Sequence, residues 1–347
     1  MKRYFPVYIL LLFILGVQSC SEDFQVTAPY KNITFVYGFL DMKDTAHYIR
    51  IQKAFIDENK SAIEMAQTSD SSYYANLTVV MREVSGTTVT KNIILQKVNM
   101  ANEGYPKDSG SFFDKPSYAY KFTDKLDTLK RYRLVITNPA TGMTDSSEID
   151  IINANRVYLK YNTWDKMNFA QTIPITMWNW NSYLWYVPKS NATFLEMYIK
   201  FSWEDHYISS GNIVRKSAFM KVFEDKTSGN IYDIFEKSHY SFYTFLSGAI
   251  GPAPDGVERL LDSCDYYYYL GGIDYNNYYD KKLLQYGLTG DESKPIFSNI
   301  NGKDVYGLFT TRTALYRYNV PIDTVTLDSL MTNPITSPIN FQGFTKD

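Results

Sequence analysis

The sequence predicts a mainly β protein: an N-terminal antiparallel sandwich followed by a larger β-rich domain with one or two short helices. Three observations predict it. Short apolar runs alternate with polar residues at period two, the spacing that sends one face of a strand into a core and the other into water. Turn-forming residues separate these runs, as hairpins require. Tyr (31) and Phe (21) are unusually abundant, and aromatic side chains favour strands.

The elements follow in chain order. Ile33–Leu40 is a continuous apolar run. Tyr48–Phe55 sets Ile49 and Ile51 against Arg50 and Gln52, and Leu77–Arg82 puts Leu77, Val79 and Met81 on one face. Ile93–Val98, Tyr118–Phe122 and Tyr132–Thr137 complete the series. Asn138–Gly142 joins the last of these to Ser146–Ile152, with Gly142 supplying a positive φ. One helical turn fits Ile63–Met65. Asn153-Ala154-Asn155 marks a boundary, which gives a sandwich over 32–152 and a second domain over 153–347. Beyond it, Val157–Tyr161, Ile173–Trp178 and Phe194–Trp203 read as strands. In the last, Leu195, Met197, Ile199, Phe201 and Trp203 oppose Glu196, Tyr198, Lys200 and Ser202. Ile213–Phe223 fits strand or helix. Ser241–Ile250 is a helix closed by Gly251-Pro252, Val257–Tyr269 a strand and Asn277–Leu284 a second helix. From Pro321 onward the chain is polar and Pro-bearing, which predicts loose packing.

Composition narrows the function. Hydrophobic residues at 45% and charged residues at 21% make a folded chain. Lys+Arg (35) and Asp+Glu (37) nearly cancel, so no basic excess exists to neutralise phosphates and nucleic acid is not an expected partner. Only three His are present, and no phosphate loop, Gly-x-Ser-x-Gly elbow or dinucleotide fingerprint occurs. No cofactor, metal site or catalytic residue is expected, and the protein is read as not an enzyme.

The N-terminal segment is the most informative. Lys2 and Arg3 precede an apolar run from Phe5 to Val17, too short to span a bilayer but the right length for a signal-peptide core. The run ends in Val17-Gln18-Ser19-Cys20, which resembles the lipobox of bacterial lipoproteins, with Gln18 departing from its usual small or aliphatic residue. That resemblance implies a signal peptide over 1–19, lipidation of Cys20 and a tether over 20–31. Two or more acyl chains hold a protein stably at a membrane, whereas one does so only marginally. Ser21-Glu22-Asp23 is similar to the acidic signal that exports Bacteroidota lipoproteins to the cell surface. With Cys20 acylated, Cys264 stands alone, so an internal disulfide is not possible; its strand setting makes it small core filler.

The second half carries Phe194-x-x-Met197-Tyr198-Ile199-Lys200-Phe201, then Ser298-Asn299-Ile300 with Gly302, then Gly307-Leu308-Phe309. With the anchor Cys and a strand-rich, Ig-like first region, this order resembles uncharacterised surface lipoproteins of Bacteroidota, the domain of unknown function 4249 family. Here Lys303–Tyr306 separates two pieces that lie closer together in the family pattern. The resemblance implies an outer-membrane lipoprotein, at the cell surface or on the periplasmic face, whose gene neighbours a TonB-dependent transporter. It implies no catalytic residue. In such a phylum Asp44-Thr45-Ala46, Asp127-Thr128-Leu129, Asp323-Thr324-Val325 and Asp328-Ser329-Leu330 match an O-glycosylation tripeptide.

Two clusters remain. Glu204-Asp205-His206 would allow Glu204 and His206 to share a site on a strand; the preferred reading is a solvated turn. Trp164, Trp178, Trp180, Trp185 and Trp203 are interleaved with Asn162, Asn168, Asn179 and Asn181. Trp178 and Trp203 are read as core. Trp180 and Trp185, with Tyr183, are the exposed candidates for binding a glycan or peptide, because aromatic faces beside amides stack and hydrogen-bond. The expected function is a non-enzymatic binding or accessory lipoprotein of a TonB-dependent transporter. An adhesion or structural lipoprotein is the alternative, and a glycan-active hydrolase, built on a carboxylate pair that no spacing singles out, is a third.

Overall fold

The computed structural model describes residues 33–53, 72–108, 116–160, 166–170, 179–285 and 297–345. Cys20 and its flanks, the helical turn expected at Ile63–Met65, the strand expected at Ile173–Trp178, and Trp164 lie outside the described residues. Within the described residues the chain is mainly β, as its alternation requires.

Among the described residues the first half forms eight strands: β1 (Thr34–Leu40), β2 (His47–Lys53), β3 (Thr78–Ser85), β4 (Thr88–Ile94), β5 (Gln96–Asn99), β6 (Tyr118–Phe122), β7 (Arg131–Asn138) and β8 (Met143–Asp150). Strands β1, β2, β6 and β5 lie side by side, and β4, β3, β7 and β8 make a separate sheet. Their inner faces meet through Val36, Ile49 and Ile51 on one side and Val79, Met81, Leu134 and Ile136 on the other. This is a β-sandwich. The run expected at Ile93–Val98 is broken at Leu95, whose side chain is buried and whose N–H bonds to Val79 O at 2.9 Å. There the chain passes from one sheet to the other, which splits one expected strand into β4 and β5. At the β7–β8 turn Gly142 has φ 70° and its N–H reaches Asn138 O at 2.8 Å.

The second half adds β9 (Val157–Lys160), β10 (Asn179–Tyr186), β11 (Phe194–Tyr207), β12 (Ile213–Lys226), β13 (Tyr232–Ser238), α1 (His239–Ile250), β14 (Val257–Gly271), α2 (Ile273–Gln285), β15 (Val305–Val320), α3 (Thr324–Thr332) and β16 (Phe341–Phe344). The segment that fitted strand or helix is thus β12. Strands β12, β11, β14 and β15 form one layer, and the small sheet β13-β10-β9 packs across it together with α1 and α3. Helix α1 starts where Ser238 Oγ accepts the Ser241 N–H at 3.3 Å and stops at Gly251, with φ 70°. None of the helices among the described residues is long and apolar enough to cross a membrane.

The halves share a sheet. β15 pairs in parallel with β1 from Thr34↔Val305 to Leu40↔Thr311, and in antiparallel with β14 from Gly271↔Arg312 onward. The large sheet therefore runs β12-β11-β14-β15-β1-β2-β6-β5, with β16 beside β14. Ile151 is buried in the first core and Ile152 in the second, so the chain passes from one core to the other between them. Yet Ile300, Val305 and Phe309 belong to the first core, so the 32–152 unit is completed by strand β15 from the far end of the chain.

That closure explains the Ser298–Phe309 cluster. Asn299 Nδ2 donates to Phe309 O at 2.6 Å, and the Phe309 N–H donates to Asn299 Oδ1 at 3.0 Å. One amide side chain thus supplies both hydrogen bonds of a missing strand neighbour. Gly307 has φ 142°, and a Cβ there would overlap the Val36 backbone.

The loose packing expected after Pro321 is overturned. Asp323 Oδ1 accepts the Thr326 N–H at 2.8 Å and so starts α3. Leu327, Leu330, Ile339 and Phe341 are then buried in the second core. Polar composition masked the helical spacing of Thr326, Leu327 and Leu330, which face inward while Asp328 is exposed.

Candidate binding faces

In a strand, alternate side chains point to opposite faces, and this rule decides the fate of each candidate. On β10, Trp180, Ser182, Leu184 and Tyr186 point inward and are buried; Tyr183 and Trp185 point outward and are half-buried. The exposure expected of Trp180 is therefore overturned. It is 7% exposed and packs edge-on against Phe242 and Tyr266, with ring centroids 5.7 and 5.9 Å away. Trp203 is buried, in line with its core reading.

Trp185 and Tyr183 lie on the outer face of the small sheet. Trp185 is registered with Tyr158 on β9 and Tyr232 on β13. Tyr158 and Tyr232 are 55% and 39% exposed, and the Trp185 and Tyr232 rings lie 5.2 Å apart, tilted by 31°. Tyr183 is registered with Ile234, itself exposed. None of these five side chains carries a charge. Trp180→Ala is expected to cost about 3–5 kcal/mol in urea unfolding, the range for removing a buried aromatic. Trp185→Ala is expected to cost much less; equal losses for the two would place Trp185 in the core.

A second outward face, which sequence reading did not single out, lies on the large sheet. The Tyr266–Tyr269 run is split by the pleat: Tyr266 and Tyr268 are buried, with the Tyr268 hydroxyl 2.7 Å from Ser182 Oγ, while Tyr267 and Tyr269 face out. Tyr267 is registered with Tyr198 on β11 and Tyr316 on β15, and Tyr198 with Lys221 on β12. Tyr267 touches Phe219, Tyr316 and Tyr318 at ring-centroid distances of 5.5, 5.5 and 6.1 Å. Phe219, Tyr316 and Tyr318 are 56%, 47% and 55% exposed. Ion pairs are interleaved with the rings: Lys200–Asp265 at 3.6 Å, Arg312–Glu196 at 3.3 Å, and Lys221–Glu224. Arg312 also lies 4.7 Å from the Tyr269 ring centre. Burial, with a hydrogen bond to Glu224, raises the Glu196 carboxyl above its ordinary value. The readable signal was the period-two placement of Tyr267, Tyr269, Tyr316 and Tyr318.

Glu204-Asp205-His206 is not a solvated turn. β11 continues to Tyr207, and Asp205 extends the inward series that ends in Trp203. Asp205 is fully buried, bonded to Trp203 Nε1 at 3.0 Å, Lys216 Nζ at 2.7 Å and Arg259 Nε at 3.1 Å. Arg259 Nη1 in turn donates to Gly251 O at 2.6 Å and Ile339 O at 3.3 Å, which ties the end of α1 to the segment after α3. On the other face, Glu204 bonds His206 at 2.9 Å and Arg215 at 2.8 Å. Every charge in this cluster is paired, and its task is cohesion. Cys264 is buried, with its thiol pushed up by burial and directed at Val320 O, 3.6 Å away. Among the described residues no group of three or more His, Cys, Asp or Glu side chains could hold a metal ion.

No protein-family model and no curated protein matches the sequence. Among solved structures, a chain of a cytokine receptor complex aligns over 81% of this chain and 94% of its own, at 8% identity and a TM-score of 0.19. That likeness is too slight to relate the two folds or what they do.

Proposed function

We propose that this chain is a non-enzymatic binding and accessory protein, held at an outer membrane by lipid on Cys20 and facing the cell surface. Its partner is a TonB-dependent transporter, docked through Tyr158, Tyr183, Trp185, Tyr232 and Ile234 on the small sheet. The observation that carries this reading is the registered, outward row Tyr158–Trp185–Tyr232. Uncharged aromatic clusters of this kind supply the central contacts of protein interfaces, where Trp and Tyr are enriched and Lys, Glu and Asp depleted. The row is rigid because Leu184, between Tyr183 and Trp185, and Phe235, next to Ile234, are anchored in the core.

The test is affinity purification of the tagged protein from membranes of its own organism. The wild type is expected to bring down a TonB-dependent transporter, and Trp185→Ala with Tyr232→Ala to lose it while keeping the wild-type circular dichroism. Equal recovery with the folded variant, or no transporter with either, would overturn the reading.

A further inference from the structure

The tyrosine face of the large sheet differs in chemistry from the small-sheet row, and that difference indicates its ligand. We propose that Tyr198, Tyr267, Tyr316, Tyr318 and Phe219, with the ion pairs among them, form a binding site for an uncharged oligosaccharide. The site rests on the broader reading of the chain as a binding protein, but not on the transporter as partner.

Three features favour a neutral sugar. The face spans four adjacent strands, about 14 Å from three inter-strand spacings, room for several linked sugar rings. Its rings hold one another in place: Tyr316 and Tyr318 lie 5.7 Å apart and 25° from parallel, and Tyr267 stands edge-on to both. A ligand therefore meets an ordered apolar surface and loses little to ordering the protein on binding. The charged groups cancel in place, since each of Glu196, Glu224 and Asp265 is matched by a base within the face. No net charge is left to attract an anionic glycan, a nucleic acid or a strongly charged peptide.

The same ion pairs argue against a protein partner, because Lys, Glu and Asp are depleted from the centres of protein interfaces. For a sugar they are an asset. Carboxylates and guanidinium groups fixed beside aromatic rings can accept from and donate to hydroxyls while the rings cover C–H faces. Phe219, 56% exposed and without a hydroxyl of its own, gives such a C–H face an apolar contact.

The test is calorimetric titration of the detergent-solubilised mature protein with neutral gluco-, manno-, xylo- and galacto-configured hexasaccharides. Oligogalacturonate and a neutral tyrosine-rich peptide serve as comparisons. At least one neutral hexasaccharide is expected to bind, with affinity nearly independent of salt. Tyr316→Ala with Tyr318→Ala is expected to weaken it about tenfold, on the scale of two lost ring contacts, without change in melting temperature. Trp185→Ala should leave sugar binding intact and Tyr316→Ala with Tyr318→Ala should leave transporter recovery intact, so either site can fail alone. Binding of no neutral sugar at millimolar concentration, binding that survives loss of both tyrosines, or binding only of oligogalacturonate or the peptide would each overturn the proposal.

Discussion

Asp205→Ala is expected to remove about 3–5 kcal/mol of folding stability, the cost of leaving a buried charge without its partner. The side chains of Asp205 and Arg259 are 0% and 4% exposed, so water cannot replace what the substitution removes. The stranded Arg259 would still hold Gly251 O and Ile339 O, but as an uncompensated cation. Replacing both members by apolar side chains of similar volume is expected to restore much of the loss, because a buried pair is costly to break and cheap to exchange whole. Acid should reproduce part of the effect. Burial alone would raise the Asp205 carboxyl, yet the Lys216 hydrogen bond and the Arg259 charge outweigh it and hold the group below its ordinary 3.8. A carboxyl depressed in the folded state stabilises the fold above its unfolded value, and that stability drains away as pH falls through the folded one. Urea melts of wild type and Asp205→Asn are therefore expected to differ most near neutrality and to converge below about pH 4. A gap that stays constant down to pH 2 would contradict the pairing.

Gly307→Ala is expected to be as damaging, by a different route. The φ of 142° belongs to a region that side-chain-bearing residues rarely adopt, and a new Cβ would overlap the carbonyl oxygen, the carbonyl carbon and the amide nitrogen of Val36. Strain and clash together should cost about 4 kcal/mol or more. Because β1 and β15 are paired from Thr34↔Val305 to Leu40↔Thr311, the damage should fall first on the core that holds both Val36 and Phe309, and reach the second core through β15, which goes on to pair with β14 and buries Val320 there. Gly248→Ala, in helix α1 with open space around it, is the control and should gain up to about 1 kcal/mol. Thermal unfolding that loses the first core alone, with the second melting unchanged, would show that the shared sheet does not couple them.

Much of the fold was legible because period-two alternation is a local property. Phe194–Trp203 could be read residue by residue: Leu195, Met197, Ile199, Phe201 and Trp203 are all buried, while of the opposing residues Glu196 alone is buried with them. What escaped reading was non-local. Val305–Phe309 stands out in the sequence only through the Gly307-Leu308-Phe309 motif, and nothing in its own residues says that it forms a strand that returns to pair with Thr34–Leu40. Leu95 looks like part of a single strand because its change of sheet depends on what lies on either side. Asp205 misled for another reason: a charged triplet resembles a turn unless the alternation is carried two residues past Trp203, and its partner Arg259 lies 54 positions away. The binding faces were half legible. Alternation alone sorts Trp185 and Tyr183 from Trp180, since odd and even positions of one strand must part, yet the aromatic density of the stretch drew attention to all three. Tyr316 and Tyr318 needed Tyr267 beside them to become a face, and that neighbour comes from a different strand.

The proposal as a whole depends on how the polypeptide is held, and an intact-mass spectrum of the protein isolated from its own membranes addresses that most directly. The expected product is a chain that starts at Cys20 and is heavier than its residues by a diacylglyceryl group and an amide-linked acyl chain. A product that begins at another residue, or a Cys20 bearing a free thiol, would remove the membrane and the transporter partner together.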